Sequence, residues 1–143
     1  MSLIPFFSEK TEFSSQDIGR IGEDVACMFL VEQGYEVLQR NYRKKYGEID
    51  IVLCRDGKVL FCEVKAVSCE KIESDVNRET KDSHRPEDNV HLYKTRKLSR
   101  MIQVYLAENA ISESVEWSFC VAAVYVSKRL RKARICLIDD IVL

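Results

Sequence analysis

The residues best suited to chemistry lie close together between Gly47 and Lys65: Glu48, Asp50, Glu63 and Lys65. Between them stands Asp56-Gly57, a strong signal for a two-residue hairpin turn. With the turn there, Arg55 pairs with Lys58. Counting back along both strands then sets Asp50 opposite Glu63 and Glu48 opposite Lys65. Side chains alternate faces along a strand, so all four are expected on one side. The other side carries Ile49, Ile51 and Leu53 against Leu60, Cys62 and Val64, an apolar face for the core.

Carboxylates directly opposed in a sheet, with Cβ atoms about 4.5–5.5 Å apart, repel and destabilise it. A divalent cation resolves the repulsion, because hard cations take oxygen ligands and still leave room for water. Mg²⁺ or Mn²⁺ suits such a pair, whereas Zn²⁺ recruits His or Cys. Lys65 reaches the same place and could stabilise developing negative charge or position water. The simpler reading is a surface salt bridge between Glu48 and Lys65, with Asp50 and Glu63 facing water. Val52 and Phe61 on the same face argue against a plainly solvated surface.

These strands need elements to hold them. Residues 1–14 read as a flexible leader, and 15–143 as one domain. Ser14 or Ser15 can cap a helix in which Ile18, Ile21, Val25, Met28 and Phe29 recur at helical spacing until Gly34 stops it. Glu23 shares a flank of that helix with Gly19, Ala26 and Leu30, and the small residues there would let it approach a sheet closely. Tyr35–Tyr42, residues 48–54 and residues 59–66 read as strands. Residues 68–89 are polar, with almost no apolar anchors, and read as a mobile loop. A second helix, about Asp88 to Asn109, carries Leu98, Met101, Ile102 and Tyr105 on one face, with Lys94 in line with them. Trp117–Val126 and Ala133–Ile138 form a last hairpin across the basic turn Ser127–Lys132. The order predicts an α/β domain around a mixed sheet.

With the elements placed, one pattern becomes specific. Gly22-Glu23, Gly34-Tyr35, Arg40-Asn41, Gly47-Glu48-Ile49-Asp50 and Glu63-Val64-Lys65 follow one another with the order and spacing of the YraN-like family of small bacterial proteins. Pro86, Val90, Lys94, Lys97-Leu98 and Tyr105-Leu106 also fit, so the resemblance spans roughly residues 15–126. That family in turn resembles the PD-(D/E)xK nucleases, the archaeal Holliday-junction resolvases in particular. The resemblance implies a restriction-endonuclease-like αβββαβ core and Mg²⁺- or Mn²⁺-dependent endonuclease activity. Carried over, Glu23 is the first-helix acid, acting on the metal through water. Asp50 and Glu63 are the metal ligands, joined by the Val64 backbone carbonyl. Lys65 is the catalytic lysine, Lys94 a phosphate-side group, and Glu48 a supporting acid. DNA, branched DNA included, and a homodimer follow from the resolvase likeness. Ala66-Val67 stands where the family commonly has Thr-Arg, and Cys120 lies near a position where it often has Asp.

Composition narrows the field. The 143 residues carry a net charge of -1, which excludes a uniformly basic coat. The cations are nonetheless uneven. From His91 to Arg134, Lys94, Arg96, Lys97, Arg100, Lys128, Arg129, Arg131, Lys132 and Arg134 face only Glu108, Glu113 and Glu116. Such an excess can track a phosphate backbone without reading sequence. No apolar run approaches the ~20 residues of a membrane span, and the start lacks the pattern of a signal peptide. Six scattered cysteines without a CxxC pair argue for a reduced, cytoplasmic protein. The rival to a nuclease is a non-catalytic module that keeps the fold to bind nucleic acid or a protein partner.

Overall fold

A computed structural model describes residues 3–69, 92–139 and 141, the side chains of 92–95 excepted. Much of the polar segment and the start of the second helix therefore lie outside the described residues. Eight elements follow in order: β1 (Ile4–Pro5), α1 (Ser15–Glu32), β2 (Glu36–Lys44), β3 (Gly47–Arg55), β4 (Lys58–Ser68), α2 (Leu92–Glu108), β5 (Trp117–Ser127) and β6 (Lys132–Ile138). From α1 to β5 this is the expected αβββαβ order.

The strands form one sheet in the order β1-β6-β5-β4-β3-β2. Every neighbouring pair is antiparallel except β4 and β5, which run parallel from Val59–Trp117 to Ser68–Val126. A parallel pair needs a long crossover, which α2 and its flanking segments supply. Each face of the sheet has its own core. Ile18, Val25, Ala26 and Leu30 of α1 pack on Ile51, Leu53, Leu60, Cys62, Ala122 and Val124. Leu98, Met101, Ile102 and Tyr105 of α2 pack on Tyr42, Ile49, Val52, Phe61, Phe119 and Val121.

Local chemistry fixes the first helix. Ser14 caps it by accepting from the Asp17 amide, and Asp17 accepts in return from the Ser14 amide. Both bonds satisfy backbone donors that a helix start leaves open. Gly34, at φ +95, ends the helix in a conformation few other residues take easily. Met28, expected on the apolar face, is instead 45 % exposed.

The stretch read as a leader carries an element the sequence analysis did not foresee. Ile4 and Pro5 pair with Ala133 and Lys132 at the edge of the sheet. Phe6 donates its amide to the Arg131 carbonyl, and the Arg131 side chain donates to the carbonyls of Ser8 and Lys10. Among the described residues, no helix is long and apolar enough to cross a membrane.

Candidate active site

The β3–β4 hairpin has the expected turn and register, from Arg55–Lys58 to Ile51–Cys62. There the ladder stops, one position short of Asp50 and Glu63. Beyond it, Asp50 reaches across to β4. Its Oδ2 accepts the Val64 amide at 2.7 Å, so the carboxylate is drawn into the opening between the two strands. Glu48 pairs with Arg43 of β2 at 2.7 Å, and Lys65 Nζ lies 3.2 Å from Glu63 Oε1.

Ile49, expected beside Ile51 and Leu53, packs instead in the α2-side core with Tyr42 and Val52. Strict alternation cannot place residues 49 and 52 on one face, so the alternation breaks between them. The break has a partner in β2. Pairing runs from Arg40–Ile51 to Tyr42–Ile49 and passes over Asn41 and Asp50. Asn41 has φ 52, a left-handed conformation that asparagine tolerates better than most residues. This local break turns the β2–β3 tip toward α2, where Tyr42 and Ile49 pack.

Two more elements bring acids to Asp50. Gly22 lets α1 lie directly on β4, since a Cβ there would fall 2.5 Å from the Cβ of Ala66. This places the adjoining Glu23 on the α1 side of the opening. The sequence pointed to small residues here, but the contact belongs to Gly22. Gly19 has nothing within 4 Å of such a Cβ. Glu63 lies on the α2 side, where it lines a hollow of about 210 Å³ with Gly47, Glu48, Lys97, Leu98 and Met101.

The electrostatics follow from this crowding. Burial pushes the Asp50 carboxyl up to about 7, against the pull of the Val64 amide. A hydrogen bond with Glu48 and the charges of Glu23 and Glu48 push the same way. Glu23 is also held above the usual range, chiefly by burial, although Arg40 draws it down. Among the described residues, Glu23 Oε1 and Glu63 Oε2 are buried with no hydrogen-bond partner. Buried acceptors of this kind are uncommon and call for an explanation. A hard divalent cation fits this donor set: all-oxygen, negatively charged and short of hydrogen bonds. Asp50 and Glu63 would hold it, with the Val64 carbonyl beside them and Glu23 reaching it through water. Among the described residues, no three or more His, Cys, Asp or Glu side chains are gathered as a metal cage. The set is open.

The basic residues expected to hold nucleic acid are divided in their tasks. Lys97 reaches the Glu63 hollow. Lys94 lies in the first turn of α2, and its side chain is outside the described part. Arg96 is exposed, and Arg100 lies over the Tyr46 ring at 5.1 Å. Lys128 borders a hollow with Ser14, Ser15, Ala66 and Ser68, while Arg129 and Lys132 are exposed at the β5–β6 turn. Arg131 holds the N-terminal stretch and stacks over Phe13 at 4.7 Å, so its guanidinium serves the fold. Sequence reasoning missed a second group. Arg20, Arg40 and Arg43 line a cleft of about 720 Å³ with Glu23, Asp24 and Asn41. Arg40-Asn41 was visible as a motif, but its backbone geometry was not.

Comparison with known proteins agrees with the motif. The model of "Uncharacterised protein family UPF0102" matches residues 22–137. A UPF0102 protein of Caldicellulosiruptor bescii is 27 % identical over 125 residues, covering 87 % of this chain and 96 % of the relative. One from Helicobacter hepaticus is 34 % identical over 113 residues, covering 79 % and 86 %. One from Thermotoga petrophila is 40 % identical over 90 residues, covering 62 % and 70 %. With four-fifths of its length under the family model, the chain belongs to the UPF0102 family, the YraN-like group.

Proposed function

We propose that this protein is a divalent-metal-dependent endonuclease that hydrolyses phosphodiester bonds in nucleic acid. The observation that carries the reading is the pair of buried carboxylate oxygens, on Glu23 and Glu63, that have no hydrogen-bond partner among the described residues. When bound, Mg²⁺ or Mn²⁺ polarises the phosphate and lowers the pKa of water. The chain's own groups supply the rest. Asp50 and Glu63 would hold the cation, and Val64 fixes Asp50 through its amide. Lys65, held 3.2 Å from Glu63, brings a positive charge to the phosphate as negative charge grows on it. Hydrolysis forms one bond from water oxygen to phosphorus and breaks one P–O ester bond. The resolvase likeness favours DNA, branched DNA included, as substrate, a homodimer as the working unit and the cytoplasm as the place of action.

The open donor set, with no cage of three ligating side chains among the described residues, favours a second reading. It is a binding module that has kept the fold without catalysis. Mn²⁺ titration followed by water-proton relaxation separates the two. The wild type is expected to enhance relaxation and Asp50→Asn to lose most of that enhancement. Equal enhancement from both proteins overturns the metal site and leaves the binding module.

A further inference from the structure

We infer that the cleft between α1 and β2, lined by Arg20, Arg40 and Arg43, is the track along which the sugar–phosphate backbone reaches the acid cluster. The inference rests on the nuclease reading and gives it a substrate-binding surface. Arg40 and Arg43 are three residues apart in one strand, and regular alternation would send them to opposite faces. Both nevertheless line the same cleft, while Tyr42 between them is buried against α2. The left-handed Asn41 makes the difference. The break in pairing beside Asp50 thus also gathers the two arginines.

Arg20 completes the set from α1, one turn before Glu23. It is exposed, and it forms no ion pair among those found between the described residues. Arg40 bonds Asp24 at 2.8 Å and Arg43 bonds Glu48 at 2.7 Å, so each guanidinium keeps further donors for a phosphate. The cleft meets the acid cluster twice, through Glu23 in its wall and through the Arg43–Glu48 pair. A groove of guanidinium groups ending at carboxylates suits a polyanion whose scissile phosphate is to meet a metal.

Fluorescence anisotropy with a labelled DNA duplex and an RNA duplex of matching sequence, in EDTA so that nothing is cut, tests this. Arg20→Glu breaks no ion pair found among the described residues and is expected to weaken binding about tenfold, with a salt dependence shallower by roughly one to two counterions. Asn41→Val strains the left-handed backbone and is expected to weaken binding, whereas Asn41→Gly, which keeps that backbone, is expected to bind more tightly than Asn41→Val. Wild-type strength and salt dependence in Arg20→Glu overturns the cleft, most clearly if Arg96→Glu on α2 weakens binding instead. A wild type that binds neither duplex overturns both the cleft and the nuclease reading. Binding to either duplex that Arg20→Glu weakens supports the cleft and says which nucleic acid uses it.

Discussion

At the scale of single residues, Asp50 is a carboxyl in surroundings far from those of water. A carboxyl raised from 3.8 to about 7 binds its proton more tightly in the folded state. Its contribution to stability is therefore complete below about pH 4 and is lost as pH rises through 7. Above that, the metal-free protein holds a charge among Glu23, Glu48 and Glu63. Holding that charge costs on the order of a few kcal/mol. Asp50→Asn is thus expected to melt a few degrees above wild type near pH 8 and together with it near pH 4. Added Mg²⁺ is expected to close the gap at the higher pH by stabilising only the wild type. Melting curves that differ equally at both pH values would sink this account of the cluster. The identities of these acids were legible in the sequence, because opposed carboxylates on a hairpin are costly without a purpose. The break in the β2–β3 pairing beside Asp50 was not, since it depends on one φ angle at Asn41.

At the scale of elements, the site depends on how closely α1 lies on β4. Two glycines on that helix make opposite predictions. At Gly19 an added Cβ meets nothing within 4 Å, so Gly19→Ala is expected to stabilise by about 0.5–1 kcal/mol through helix propensity alone. At Gly22 the same atom meets the Ala66 Cβ at 2.5 Å, and neither partner is the end of a flexible chain. Gly22→Ala is expected to destabilise by about 1–3 kcal/mol and to move Glu23 away from Asp50. Urea unfolding of both variants checks the pair, and a stabilised Gly22→Ala would mean the helix stands off the sheet. The remaining strands and helices could be read from the chain because each has a strong period or a strong stop. β1 could not, because it pairs only Ile4 and Pro5 and is too short to show alternation. The β2–β3 tip is tied from outside its own sequence. Tyr42 donates to Glu108 of α2 at 2.6 Å, and Lys44 bonds the same carboxylate at 2.7 Å.

At the scale of the molecule, the two edges of the sheet have different fates. The β6 edge is covered by β1 and secured by Arg131, whereas β2 forms the opposite edge and borders the arginine cleft. A local excess of cations between His91 and Arg134 suggested one basic surface, but charge read along a chain does not say which cations the fold has engaged. Arg131 carries much of that difference. Its guanidinium donates to two carbonyls more than a hundred residues away and lies over Phe13, which packs edge-on against Phe6. Both rings rest on the α1-side core, so the N-terminal stretch closes one end of it. Arg131→Ala is expected to cost about 1–3 kcal/mol, since two charge-assisted donors and a stacked plane go together. Its signature is local: hydrogen exchange across residues 4–13 is expected to quicken while β3 and β4 stay protected. Nucleic-acid affinity is expected to remain within about twofold of wild type, because one uninvolved cation adds little to a counterion-driven equilibrium. A large loss of affinity with unchanged exchange at the N-terminus would return Arg131 to the binding surface and separate the leader from its anchor.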